Sequence, residues 1–312
     1  MFYKSLPFSF SGHKLRVCDI VSRNIALLGG VRGIVDVFGG SGILSANLKK
    51  DYPHLPIVYN DFDGDSRQFV HLEELEDAYC YFKEKLERFG FSATKRGDRG
   101  DRGDVGGVIE CFLKNERGYC DFVLGCVLKK CSHPGACVTY KTESMYRDYF
   151  LKCARMGRKM FFKNTIPKFK AVYFDRYLDG LDVRHADWRE LLREFSGSGY
   201  LFLCDPPYIQ TEQGAYSGAF HLKDVLDLIG ALKHENVFYF CNNESGFFDV
   251  LKFVSGHYAG KCVELLNIRI VKKSCRKDQN DSCLTKKAEQ IYYYGEKDLW
   301  LFSAGLASVG GG

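Results

Sequence analysis

No run of apolar residues in this chain approaches the roughly 20 that a bilayer requires, because charges interrupt every one. The opening residues, Met1-Phe2-Tyr3-Lys4-Ser5-Leu6-Pro7, lack the apolar stretch of a secretory leader. These two absences point to a cytoplasmic protein with no membrane partner. Cys-x-x-Cys is absent as well, although the chain carries 13 cysteines. Cys111, Cys120, Cys126, Cys131 and Cys137 crowd one third of the sequence, with His133 among them, yet without the spacing of most zinc ribbons. The odd count and the cytosolic setting argue against a disulfide framework. Free thiols filling small core sites are the expectation, and no metal is.

Acid is missing where base is abundant. Between Phe150 and Phe174 there is no Asp or Glu, while Lys152, Arg155, Arg158, Lys159, Lys163, Lys168 and Lys170 all occur. A second basic stretch runs from Arg269 through Lys272, Lys273, Arg276 and Lys277 to Lys286 and Lys287. The net charge is only +5, so the clustering matters more than the total. Such concentrations suit a polyanion, with a solvated basic face as the plainer alternative.

What is present is a globular chain of 312 residues, 46% hydrophobic and 15% aromatic, long enough for one large domain or one domain with an inserted lobe. Residues 33–38, Gly-Ile-Val-Asp-Val-Phe, read as a buried parallel strand. Gly39-Gly40-Ser41-Gly42 follows, and then a segment with helical spacing to Lys50. Residues 56–61 read as a second strand with Asp61 at its carboxyl end. This is the opening of a doubly wound nucleotide-binding fold. Ser45 stands where a third glycine would complete the phosphate pattern, which disfavours a pyrophosphate-bearing cofactor.

Asp65 to Phe89 has the repeats of a long helix, and residues 95–104 are a glycine-rich, charge-alternating loop. Alternation of strand and helix lapses over 105–180 and returns afterwards. Residues 189–195 and 222–232 have helical spacing, and 200–204 and 236–241 read as strands. Residues 263–271 and 290–294 look like a final antiparallel pair. The expected organisation is a catalytic domain from 1–65 and 181–304, a lobe from 66–180 and a disordered tail from 305–312.

The most pointed feature is Cys204-Asp205-Pro206-Pro207-Tyr208, placed where a buried strand ends. Asp205 offers a flat aromatic amine an anionic acceptor. The Pro206 carbonyl, stiffened by Pro207, offers a second. Tyr208 offers a face for stacking. Two acceptors on its two hydrogens would localise a lone pair otherwise delocalised into the ring.

With these pieces in order, the chain resembles the alpha group of amino-methyltransferases that act on adenine in DNA, the group typified by the GATC adenine methylase. Residues 7–14, Pro-Phe-Ser-Phe-Ser-Gly-His-Lys, resemble its opening motif, with His13 in place of the second glycine. Phe38-Gly39-Gly40-Ser41-Gly42 resembles its cofactor loop, Asn60-Asp61 its second-strand acid, Asp187 its acid before the catalytic strand, and residues 205–208 its catalytic motif. The resemblance implies a Rossmann-like S-adenosylmethionine-dependent methyltransferase fold: an α/β, mostly parallel sheet, with an antiparallel strand pair at its end and an inserted target-recognition lobe. It implies that Phe10, Gly12, Lys14, Asp36, Phe38, Gly40, Gly42, Asp61 and Asp187 surround the cofactor. Asp61 would hold the ribose hydroxyls and Asp187 the adenine amine; capping the next helix is the alternative for both. Asp205, Pro206, Pro207 and Tyr208 would perform the transfer. Arg155, Arg158, Lys163, Lys168 and Lys170 would meet duplex DNA.

The implied activity is methylation of the N6 amine of adenine in a specific duplex sequence, by base flipping and direct displacement, by a monomer. Methylation of a base in structured RNA and a non-catalytic DNA-binding regulator are the alternatives. A restriction endonuclease counterpart, a phage role and a housekeeping role all fit the residues.

Overall fold

The computed structural model describes residues 3–6, 13–62, 71–89, 170–207 and 220–242, the strands at 261–271 and 286–295, and a subset of residues between 107 and 127. The chain divides into two compact units. One comprises Met1–Lys4, Lys14–Gly64 and Leu178–Gly312; the other comprises Ser5–His13 and Asp65–Tyr177.

The first unit is built on a seven-stranded sheet. Its strands are β1 (Ile34–Asp36), β2 (Ile57–Asn60), β3 (Asp182–Arg184), β4 (Leu201–Cys204), β5 (Asn236–Asn242), β6 (Lys261–Val271) and β7 (Lys286–Gly295). They lie in the order β3-β2-β1-β4-β5-β7-β6. The five strands from β3 to β5 are parallel. Strand β7 pairs antiparallel with both β5 and β6, which leaves the expected antiparallel pair at one end. The fold is therefore the Rossmann-like methyltransferase arrangement.

The strand sequences explain the layering. All residues of β1, β2 and β4 are buried, as strands covered on both faces must be. Alternate side chains serve opposite faces. Ile34, Ile57, Leu201, Leu203, Phe238 and Phe240 pack against α1 (Cys18–Leu28) and α2 (Ile43–Asp51). Val35, Val58, Phe202, Cys204, Val237 and Tyr239 pack against two later helices, α4 (Trp188–Phe195) and α5 (Leu222–Ala231). Helix α1 has no counterpart in the sequence reading. Its buried residues Cys18, Val21, Ile25 and Leu28 recur at intervals of three and four, so the stripe was present there.

In the second unit, α3 (Leu72–Arg88) has His71 at its N-cap and buries Leu75, Ala78, Tyr79 and Phe82. Among the described residues of the molecule, no helix is long and apolar enough to cross a membrane.

Candidate active site

Strands β1 and β4 are parallel neighbours with Asp36 opposite Leu203, and the Val37 N–H donates to the Leu203 carbonyl at 3.0 Å. The chain leaves β1 for β2 on one side and returns through β4 on the other. The loops after β1 and β4 therefore start side by side at the topological switch point, where open α/β sheets bind ligands. The motif at 205–208 begins one residue beyond β4, and the glycine loop begins just beyond β1.

Why the loop needs glycine is visible in Tyr59. Its ring is wholly buried beneath the turn, and its hydroxyl donates to the Gly40 carbonyl at 2.6 Å. A Cβ at Gly39 would lie 2.3 Å from that ring. Gly42 sits at φ 69°, as the left-handed N-cap of α2, and its N–H closes the turn on the Gly39 carbonyl at 2.9 Å. Ser45, where the third glycine was missed, donates its hydroxyl to Asp36 Oδ2 at 2.5 Å.

Three charged side chains converge under these loops. Lys14 is buried and ion-paired with Asp205, and its ammonium lies 5.8 Å from the centre of the Phe240 ring. The Asp205 side chain is 23% exposed, so it remains reachable from outside. Asp36 is fully enclosed. Burial pushes its carboxyl up to about 7, against the Ser45 hydrogen bond; the charge of Asp205 adds to the rise and that of Lys14 opposes it. The Cys204 thiol is held well above its ordinary value, first by burial and then by Asp36 and Asp205, which leaves it chemically quiet. Pro206 is buried and Pro207 half-buried.

On the other side of β1, Asp61 is buried at the carboxyl end of β2. Its N–H donates to the Arg184 carbonyl at 2.9 Å, and its own carbonyl lies 2.7 Å from His185 Nδ1. Asn60, named in the sequence only as the residue before Asp61, has a role of its own. Its side-chain amide donates to the Val37 carbonyl at 3.1 Å and to the Ala186 carbonyl at 3.0 Å. Its Oδ1 accepts from the Ala186 N–H at 3.0 Å. One buried amide thus clamps the loops after β1, β2 and β3. Phe62, next to Asp61, is 58% exposed, an uncovered aromatic face at the rim.

Asp187 is the N-cap of α4, where Oδ1 accepts from the Arg189 N–H at 2.8 Å and Oδ2 lies 3.4 Å from the Arg189 guanidinium. The capping alternative is therefore realised in the structure, although a carboxylate has further acceptor sites. Phe38 packs edge-on against Phe220 at 5.7 Å between ring centres, and Phe220 meets Trp188 at 6.4 Å. These rings tie the glycine loop, the start of α4 and the segment leading into α5.

Phe10, Gly12, Tyr208, Arg155, Arg158, Lys163 and Lys168 lie outside the described residues. Of the basic residues assigned to DNA, Lys170 is described, in the second unit. Its ammonium donates to Glu76 Oε1 at 2.6 Å, while the Ala171 N–H donates to Glu76 Oε2 at 2.7 Å. No disulfide joins the described cysteines, which include Cys111, Cys120 and Cys126; Cys131 and Cys137 lie outside that set.

No family model matches the chain. Over 293 residues it is 28% identical to a protein of Haemophilus influenzae that bears the name "Putative methyltransferase". The aligned stretch takes in 88% of this chain and 89% of that protein.

Proposed function

We propose that this protein transfers a methyl group from S-adenosylmethionine to the exocyclic N6 amine of adenine in a specific duplex DNA sequence. The observation that carries the reading is the position of Asp205. Its partly exposed carboxylate stands at the carboxyl end of β4, held by buried Lys14, beside the glycine turn at the switch point. The similarity to a protein named for methyl transfer supports the coarser part of the reading. The adenine and DNA part rests on the motif at 205–208.

The residues fit a nucleoside-bearing cofactor. The turn at Gly39–Gly42 follows β1 next to the end of β4, Asp61 supplies a buried acid for a ribose diol, and Phe62 offers a face to a purine. S-adenosylmethionine bound there supplies an electrophilic methyl on a sulfonium. The chain's own contribution is positioning. Lys14 keeps the Asp205 carboxylate in place by pairing with it. Asp205 accepts one hydrogen of the target amine and the Pro206 carbonyl the other, so that the nitrogen lone pair points at the methyl carbon. Once methylated, the amine nitrogen would have to shed one proton, which the Asp205 carboxylate is placed to accept, while the donor would leave as a neutral thioether. A target adenine in a duplex must be extruded to reach this cradle, and Tyr208 would stack on it, replacing stacking worth about 1–3 kcal/mol. The quiet Cys204 thiol suits a direct displacement without a covalent adduct. The basic residues at 155–170 supply the charge that a duplex requires.

The test is transfer of a labelled methyl to duplex DNA and, in parallel, to structured RNA, followed by digestion to nucleosides. N6-methyladenine from DNA alone is expected. Label in RNA alone, or in N4-methylcytosine, overturns the assignment of substrate. No label in any nucleic acid, with no measurable affinity for S-adenosylmethionine, overturns the enzyme itself.

A further inference from the structure

The cysteine-rich third of the sequence lacks the spacing of a zinc ribbon, yet one of its cysteines meets metal-ligand partners from elsewhere. In the second unit, a ring nitrogen of His71, a carboxylate oxygen of Glu74 and Sγ of Cys120 all lie within 4.8 Å of one another. His71 and Glu74 come from the N-cap and first turn of α3; Cys120 comes from a loop 46 residues beyond Glu74. We propose that these three side chains form a zinc site.

Four observations carry the assignment. The donor set is one imidazole nitrogen, one carboxylate oxygen and one thiol sulfur. That mixture suits zinc and disfavours magnesium and calcium, which take oxygen alone. Each of the three side chains is half-buried, so an ion can enter without unfolding the unit. The carboxylate is already aimed, because Glu74 Oε1 accepts from the Cys120 N–H at 2.8 Å while Oε2 faces His71 Nδ1 at 2.8 Å. A metal-bound carboxylate fixed through its second oxygen by a backbone N–H is a typical outer-shell support. Tetrahedral zinc, with bonds of about 2.0–2.3 Å, holds its ligand atoms roughly 3.5 Å apart, so small rotations about the side-chain bonds suffice.

The position also gives the ion a purpose. Between Glu74 and Cys120 the chain carries the glycine-rich repeat at 97–104, a segment with little apolar content to fold around. A metal joining α3 to Cys120 ties the ends of that long loop together, and its binding free energy adds to the stability of the folded unit. Water would complete the shell. The site lies in the second unit and does not depend on the proposed methyl transfer.

The test uses the full chain. After loading with zinc and dialysis, the wild type should retain about one zinc per chain. His71→Ala and Cys120→Ser should each fall to background, while Cys80→Ser, on the exposed side of α3, should not. Cys120→Ser preserves the N–H that holds Glu74, and circular dichroism checks that both variants fold. Cobalt in place of zinc should give the wild type a thiolate-to-metal charge-transfer absorption that Cys120→Ser lacks. Background zinc in the loaded wild type, an undiminished content in either variant, or no cobalt–thiolate absorption overturns the site.

Discussion

The crevice of the sheet unit and the flank of α3 in the second unit are assembled from the same ingredients: carboxylates, cations and tyrosines. Their surroundings reverse what those groups do. At the crevice, Asp36, Lys14 and the hydroxyl of Ser45 are enclosed, and burial raises the Asp36 carboxyl. On α3, the Asp77 carboxylate receives the Tyr119 hydroxyl at 2.6 Å and the Arg117 guanidinium at 2.8 Å, and those two partners hold its pKa below the usual carboxylate range. Glu76 is likewise lowered, by the Lys170 ammonium and then by the Ala171 N–H. Exposed pairs of the second kind fasten a surface and contribute little each. Buried charge of the first kind is costly, and a fold that retains it at the mouth of a parallel sheet points to use rather than to stability.

The sharpest way to break this comparison is Asp205→Ala. Turnover of methyl from cofactor to DNA should fall by at least about 100-fold, with DNA binding measured by fluorescence anisotropy largely intact. Near-native turnover would end the case for a functional crevice.

Next in size is the pH dependence of stability. Asp36 keeps its proton to a higher pH when folded than when unfolded, where its value is ordinary. The stabilisation from that proton is complete below the ordinary carboxylate range and is lost as pH rises to about 7. Urea midpoints should fall across this window, by a few kcal/mol in free energy, and Asp36→Asn should flatten the fall. Glu76 and Asp77 work in the opposite sense: their contribution is present above the ordinary carboxylate range and lost on acidification. Hydrogen exchange resolved by peptide should show the crevice loosening toward neutral pH and α3 loosening in acid. Both regions responding in the same direction would refute the contrast.

A smaller effect is expected at Asn60. Asn60→Ala strands two carbonyls and one N–H, at a cost of about 2 kcal/mol. Because the three loops it joins line the crevice, affinity for S-adenosylmethionine should fall about 10-fold or more, beyond what the loss of stability explains. A shifted urea midpoint with unchanged affinity would reduce Asn60 to a structural brace. The smallest effect belongs to Lys170→Ala. With its ammonium committed to Glu76, the urea midpoint should hardly move, and high salt should remove any difference. A loss of DNA affinity in that variant would bear out the assignment of Lys170 to duplex DNA.

Much of the frame was legible before any coordinates. Val35 and Phe202 belong to unbroken apolar runs bounded by turn residues, and such runs become doubly covered strands. The capping residue Asp187 was readable from its place before Trp188-Arg189-Glu190. Asn60 was not, because its partner Ala186 lies 126 positions away and an Asn before an Asp signals only a strand end. Ser45 was read as the absence of a glycine, when its hydroxyl is what meets Asp36. Phe220 carries no local sign that it will join Phe38 to Trp188.

The sequence by itself determined which segments become strands, where glycine is required, and that Asp205 follows a buried strand, because periodicity and backbone sterics act between near neighbours. Only the tertiary structure decided that β4 inserts beside β1, that Lys14 reaches Asp205, and that Asn60 binds loops far apart in the chain. Those are pairings across long separations. They are chosen by how the two faces of the sheet bury their side chains, not by any residue's own preference.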